Sequence, residues 1–182
     1  MLEPGIAEYR FWRDFDEHNI REGPPDERDF VQMTDDERGR VEAELLKRLI
    51  AKPEDDSWVI TALGVLRSSC AAPLLRSLFS GRCSRYTGVA AAEALWRISN
   101  DALAVAYLVR VLRERTRLRR IVAGAGALDV LFLNGPRIDA ARALGFIDTP
   151  ESRGALNDAL VDRSPEVCRR ARAALDRLNG ES

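Results

Sequence analysis

Apolar residues recur three and four positions apart along most of this chain, which is the spacing of amphipathic helices. Strand signals are almost absent, because no Asn-Gly or Asp-Gly turn joins two alternating segments and β-branched runs are few. The pattern predicts an all-α protein, built from helices of about 10–16 residues that are joined by short loops.

The first 33 residues carry a cluster of aromatic side chains ahead of a polar stretch. The cluster, which predicts a short helix, consists of Tyr9, Phe11, Trp12 and Phe15. Pro24 and Pro25 follow in the polar stretch, and neither can continue a helix. We therefore expect an N-terminal aromatic helix and a linker over residues 1–33, ahead of one helical domain over residues 34–182.

A clear helix start follows the linker. Thr34 and Glu37 are spaced as a capping box, in which the threonine hydroxyl accepts from the N3 amide and the glutamate reaches back. The helix is expected to run to about Ala51, because Pro53 stops it, and its apolar face consists of Val41, Leu45, Leu46 and Leu49. We interpret residues 34–53 as a helix that caps the rest of the domain.

More helices are predicted along the remainder of the chain. One begins at Asp56 or Ser57, and others cover about 70–80, 85–99, 101–115, 117–133 and 137–147. Two further helices begin at Thr149-Pro150-Glu151 and at Ser164-Pro165-Glu166. In both, a hydroxyl cap precedes a proline at the first helical position and an acid in the first turn.

A short phrase recurs within these helices. The phrase contains an Ala-Leu pair, and five of the Ala-Leu pairs in the chain belong to it, beginning at positions 62, 94, 127, 143 and 174. Residues 62–79 also align without a gap onto residues 143–160. A period of about 30 residues indicates two helices per repeat, each stacked on its neighbours. Small residues at positions 62, 94, 143 and 174 would let neighbouring helices approach closely.

The repeated segments resemble a known family. Residues 164–175 look like the second helix of a HEAT repeat of the bacterial, phycobilisome-lyase-like kind, and residues 143–151 look like the junction between two such repeats. The resemblance covers about 55–180 and implies a short right-handed α-solenoid of HEAT-like helix pairs with an N-terminal helical extension. The number of repeats around 117–140 stays open.

Composition limits the chemistry that this chain can perform. No stretch reaches the roughly 20 apolar residues that span a bilayer, and no signal peptide is recognised, so we expect a cytoplasmic protein. The three cysteines make no CxxC spacing, and the single histidine, His18, rules out a metal site with two or more histidines. We therefore expect no catalytic, cofactor or metal site.

Charge is distributed unevenly. Residues 1–57 contain 17 acidic and 9 basic residues, whereas residues 58–182 contain 12 acidic and 19 basic residues. The densest basic cluster covers 110–120, and on one continuous helix a shared face would carry Arg110, Arg113, Arg117 and Arg120. Such a face could hold an acidic protein surface or a nucleic-acid backbone. The alternative is a solvated helix end, with a helix boundary near 115–117.

Trp12 and Phe15 are a second pair of candidate partner-binding residues, because aromatic side chains are common among the residues that dominate protein interfaces. The alternative is that the aromatic helix docks onto the helical domain and buries them.

Three functions compete on these observations. The one we expect is a non-catalytic module that binds another protein, for example an immunity protein whose acidic first region neutralises a basic toxin. A nucleic-acid-binding protein similar to the HEAT-like DNA glycosylases is the second. The third, which the family resemblance implies, is a subunit of a lyase-type enzyme. We expect no membrane partner, and the sequence does not identify the protein partner.

Overall fold

Among the residues that the structure describes, all regular secondary structure is helical. The structure is a computed structural model that describes residues 5–17, 27–52, 57–81, 83–114 and 127–180. Within these ranges, the side chains of 6, 13–17, 28–29 and 127–133 lie outside the description. Within the same ranges, no helix is both long enough and apolar enough to cross a membrane. The predicted all-α class is confirmed for this part of the chain.

The chain divides into two compact units, Met1–Asp101 and Ala102–Ser182, which we call the N-terminal and C-terminal units. The N-terminal unit contains α1 (Ile6–Glu17), α2 (Arg28–Val31), α3 (Asp35–Ala51), α4 (Ser57–Val65), the 3₁₀ turn Ser69–Ala71, α5 (Ala72–Ser80) and α6 (Arg85–Ser99). The C-terminal unit contains α7 (Ala102–Arg113), α8 (Ala127–Leu144), α9 (Pro150–Ala159) and α10 (Pro165–Asn179). The N-terminal unit therefore includes both the predicted aromatic helix and the helices that follow it.

The predicted capping box starts α3. The Thr34 backbone N donates to Glu37 Oε2 at 2.8 Å, and the Glu37 backbone N donates to Thr34 Oγ1 at 3.3 Å. The apolar stripe of α3 is buried at Val41, Leu45 and Leu49, as the spacing predicted. The start and the buried face of this helix are both confirmed.

The core of the N-terminal unit lies between α4, α5 and α6. Helix α6 packs against both α4 and α5, α3 packs against α4, and α1 packs against α3 and α2. At the α4–α6 contact, a Cβ added to Gly64 would lie 2.7 Å from the Ala94 Cα. Glycine is therefore required at position 64 for these two helices to approach so closely.

The C-terminal unit is built on a similar contact. Helices α7 and α10 each pack against α8 and α9. Just after α8, a Cβ added to Gly145 would lie 2.9 Å from the Ala174 Cα of α10. The sequence predicted close approach at the small residues 94 and 174, and in both cases the partner of the alanine is a glycine.

Helix α8 corrects one prediction. Two helices were expected, covering about 117–133 and 137–147, but α8 is continuous from Ala127 to Leu144 with Pro136 inside it. Pro136 and its neighbours Asn134 and Arg137 are buried, and Arg137 is held by hydrogen bonds on several sides. Tertiary packing thus retains a helix that the proline alone would break.

The predicted alignment of residues 62–79 with 143–160 corresponds to a recurring three-helix arrangement. We call residues 57–100 the first motif and residues 138–180 the second motif. Ser68 and Thr149 are equivalent helix caps, accepting from Ala71 N and Ser152 N, respectively. The third helices end at equivalent positions as well, because Asn100 and Gly180 are both left-handed C-caps.

Candidate partner-binding surface

Helix α7 exposes a stripe of side chains opposite its buried face. The buried face includes Ala104, Leu108 and Leu112, which recur every four residues. The opposite positions, at helical spacings of three and four, are exposed; they are Leu103, Ala106, Arg110 and Arg113. We call these four residues the α7 surface.

The α7 surface combines one large apolar side chain with two arginines. Leu103 is 60% exposed and lies on the same helix face as Arg110 and Arg113. The Arg110 guanidinium lies 4.9 Å from the centre of the Tyr107 ring, and that ring is itself buried. This cation–π contact fixes the direction of the Arg110 side chain while leaving its outer surface exposed.

Arg113 connects the α7 surface to α9. Its Nη2 atom lies 2.8 Å from Asp158 Oδ2, and both side chains are more than half exposed. An ion pair this exposed contributes little to folding stability. The ion pair instead determines where the Arg113 side chain lies, because Asp158 holds it over α9.

A buried arginine anchors the end of α7. Arg137 is 7% exposed; its Nε donates to the Leu112 carbonyl at 3.1 Å and its Nη1 donates to Asn134 Oδ1 at 3.2 Å. The guanidinium also forms an ion pair with Asp162, in the loop between α9 and α10. One of the free carbonyls at the end of α7 thus gains a charged donor.

The four predicted arginines divide into two pairs. Arg110 and Arg113 lie on one exposed face of α7, as predicted. Helix α7 ends at Arg113, and Arg117 and Arg120 lie outside the described residues. A face shared by all four arginines therefore stays a prediction.

Trp12 is held within the N-terminal unit. Its ring lies edge-on to Phe11, 5.0 Å between centroids, and the Arg48 guanidinium lies 4.5 Å from its centre. Phe11 packs in turn against Phe30. Trp12 is therefore half-buried by contacts within the N-terminal unit, as the docking alternative expects. A role of Trp12 in partner binding stays a prediction. The Phe15 side chain lies outside the described residues.

Among the residues that the structure describes, two carboxylates have lowered pKa values, and both lie at the beginning of a helix. Hydrogen bonds from the backbone and the hydroxyl of Thr34 lower the pKa of Glu37. A hydrogen bond from Arg153, whose Nε lies 2.6 Å from Asp148 Oδ1, lowers the pKa of Asp148. Both shifts arise from contacts that organise helix starts, and neither carboxylate belongs to the α7 surface.

Sequence reasoning missed four residues that shape this surface, namely Leu103, Tyr107, Arg137 and Asp158. The exposure of Leu103 could have been found, because the buried stripe through 104, 108 and 112 places position 103 on the opposite face. The partners of Arg137 and Asp158 are 25 and 45 residues away along the chain. No local pattern indicates contacts of that range.

Within the ranges that the structure describes, no group of three or more His, Cys, Asp and Glu residues is placed to hold a metal ion. No family model matches the sequence, and neither a curated protein nor a solved structure matches it. The interpretation of function therefore depends on the surfaces themselves.

Proposed function

We propose that this protein is a non-catalytic interaction module and that the α7 surface contacts its protein partner. The observation that supports the proposal is the exposed Leu103 on the same face as Arg110, which is held over the Tyr107 ring. Residues that dominate protein interfaces commonly include arginine and tyrosine, packed beside apolar side chains. A side chain already fixed before binding also loses less entropy on binding.

The proposed scaffold is a short right-handed α-solenoid of HEAT-like helix pairs. Its support is the recurrence of a hydroxyl cap, a glycine–alanine contact and a left-handed C-cap at equivalent positions of the two motifs. Helical repeats of this kind present extended surfaces to partners. Stacking of successive repeats would also explain why each motif contains an Ala-Leu-Gly segment, at positions 62–64 and 143–145, that is rich in small residues.

A protein partner accounts for the α7 surface better than a nucleic acid does. Phosphates would engage Arg110 and Arg113 but would gain nothing from Leu103. An immunity protein is a second form of an interaction module, and it would use a different surface. In that form, the acidic excess of residues 1–57, with 17 acidic and 9 basic residues, would face a basic toxin, whereas the arginines of the α7 surface favour an acidic partner.

The test is capture of the partner from a native cell lysate by the tagged full chain, eluted in salt steps with and without nuclease. We expect a stoichiometric protein that survives nuclease and is lost with the double variant Leu103→Asp/Arg110→Glu. The matched control is Lys47→Glu/Ile50→Asp, which likewise replaces one basic and one apolar residue by acidic residues at exposed positions of α3 and should retain the partner. Recovery of nucleic acid alone, eluting steeply with salt, would overturn the proposal.

A further inference from the structure

A second surface emerges when equivalent helices of the two motifs are compared. Helices α6 and α10 share their inner faces, since Ala91 and Ala94 of α6 and Ala171 and Ala174 of α10 are all buried. Their other faces differ. Val89 and Ala92 are buried on α6, and an offset of 80 residues places Arg169 and Arg172 at the same positions of α10. Both of these arginines are exposed.

The exposed charge around α10 has a single sign. From residue 160 to residue 180, every exposed charged side chain is an arginine, at positions 163, 169, 170, 172 and 177. The three carboxylates of the segment, Asp162, Glu166 and Asp176, are half-buried. Asp162 is paired with Arg137, and Glu166 is paired with Arg169. A partner approaching this face therefore meets positive charge first.

Apolar contacts are available between the arginines. Val161, just before Arg163, is 87% exposed, and Ala173 lies in an open depression of about 590 Å³. The depression is bordered by Arg169 and Arg172, and the half-buried carboxylates of Asp162 and Asp176 also line it. Nucleic-acid phosphates make no favourable contact with a valine or an alanine. The charged side chains of a protein helix also have apolar methylene groups, which can pack against these two residues.

We propose that the arginine face of α10 binds an acidic α-helical segment of another protein. Around the helix, Arg170 and Arg172 lie on opposite sides of Ala173, so the carboxylates on the two edges of that segment pair with them, and its apolar side chains contact Ala173 and Val161. Helix α10 is held from behind by α8 and α9, so the arginines stand on a rigid support. This site is on a different helix from the α7 surface, and it does not require the α7 surface to function.

The probe for the test is a labelled 20-residue amphipathic peptide helix with glutamates along one side, measured by fluorescence anisotropy against the full chain. The comparison probes are the same peptide with glutamine in place of glutamate and a 20-base-pair DNA duplex. We expect the glutamate peptide to bind at least about tenfold more tightly than either comparison probe, because it alone offers discrete carboxylates.

Variants localise the site. Arg170→Gln/Arg172→Gln should weaken binding of the glutamate peptide about tenfold, because two charge pairs are removed. The matched control Lys47→Gln/Lys52→Gln removes two exposed charges from the N-terminal unit and should change binding less than about twofold. Leu103→Asp/Arg110→Glu should keep peptide binding, which separates this site from the α7 surface.

Two results would overturn the proposal. One is glutamate-peptide binding that is equal in the wild type and in Arg170→Gln/Arg172→Gln. The other is duplex DNA binding that is tighter than peptide binding and is lost in the same variant, which would make α10 a nucleic-acid face. Thermal unfolding of each variant accompanies the titrations, and these exposed substitutions should leave the unfolding midpoint unchanged.

Discussion

The two motifs are alike where helices touch and different where they face outward. In both, a glycine after an Ala-Leu pair lies against an alanine of the third helix, Gly64 on Ala94 and Gly145 on Ala174. Outside these contacts the motifs diverge, as the buried Val89 and the exposed Arg169 illustrate. The recurring phrase therefore marks the positions at which helices contact each other, whereas the residues on the outer surfaces differ between the two motifs.

The turns before the second helices show the same principle on a smaller scale. In the first motif, the turn contains Arg67 in a left-handed conformation with φ of 55°. In the second motif, the equivalent residue is Asp148, which instead accepts a hydrogen bond from Arg153. Both turns nevertheless deliver a hydroxyl cap at the next position, Ser68 or Thr149. Different local solutions thus serve the same helix start.

The largest expected effect is a loss of stability that is confined to the C-terminal unit. Arg137→Leu removes the buried guanidinium that pairs with Asp162 and donates to the Leu112 carbonyl. Breaking a buried ion pair in this way costs about 3–5 kcal/mol. Hydrogen exchange measured by mass spectrometry should show faster exchange over α7–α10, with protection of α3–α6 retained.

The control for this prediction is Arg76→Leu, which removes an ion pair with Asp101 at a half-exposed site of the N-terminal unit. Its cost should stay below about 1 kcal/mol. Equal destabilisation by the two variants would contradict a special role for the Arg137 contacts.

The next effect tests whether the two glycine contacts are equivalent. Gly64→Ala and Gly145→Ala each place a methyl group against a helix backbone, so both should lower the free energy of unfolding by about 1–3 kcal/mol in urea titrations. Gly39→Ala and Gly154→Ala are the matched controls, because a Cβ at either helical position meets nothing within 4 Å. Those two should stabilise by up to about 1 kcal/mol. Stabilisation by Gly145→Ala would show that the second contact can open.

The helix caps give a smaller, paired effect. Ser68→Ala and Thr149→Ala should each cost about 1 kcal/mol in urea titrations, because each exposes a backbone N–H that the hydroxyl now satisfies. Ser68 should cost more, since its hydroxyl also donates to Glu42 Oε1 at 2.5 Å. Ser164→Ala is the internal comparison: its hydroxyl caps nothing, so a change beyond about 0.5 kcal/mol would be unexpected.

The smallest effect is the response to acid. Glu37 in the N-terminal unit and Asp148 in the C-terminal unit both have folded pKa values below their ordinary values. Each carboxylate therefore stabilises the fold above its unfolded pKa, and this contribution is lost as the pH falls through the folded pKa. Urea midpoints between about pH 6 and pH 3 should fall less steeply for Glu37→Gln and Asp148→Asn than for the wild type. Parallel curves for all three proteins would contradict the shifts.

Helix positions were predictable because they depend on neighbours in the chain. The capping box at Thr34, the Thr149-Pro150 start and the buried stripe of α7 all follow from spacing over four to eight residues. Helix α8 was predicted wrongly for the opposite reason. Pro136 is a strong local signal, and the contacts of Arg137 that outweigh it come from residues 112 and 162.

The candidate surface was predictable only in part. Arginine density pointed to Arg110 and Arg113, and both are exposed on one face of α7. The apolar member Leu103 was missed, although the buried stripe through 104, 108 and 112 places its position on the exposed face. The arginine face of α10 does not stand out in the sequence, because its distinctive feature is the half-burial of the carboxylates beside it. The sequence shows which residues are charged, but it does not show how deeply each charged side chain is buried.

The contacts of Arg137 have a consequence for synthesis on the ribosome. The two residues it binds outside α8, Leu112 and Asp162, are each 25 positions away, one made before it and one after it. A guanidinium buried without its carboxylate is costly, so the C-terminal unit cannot close around Arg137 until Asp162 has left the exit tunnel. The N-terminal unit, Met1–Asp101, is synthesised in full before α8 and α9, and the nascent chain should fold in two stages separated by the translation of these helices.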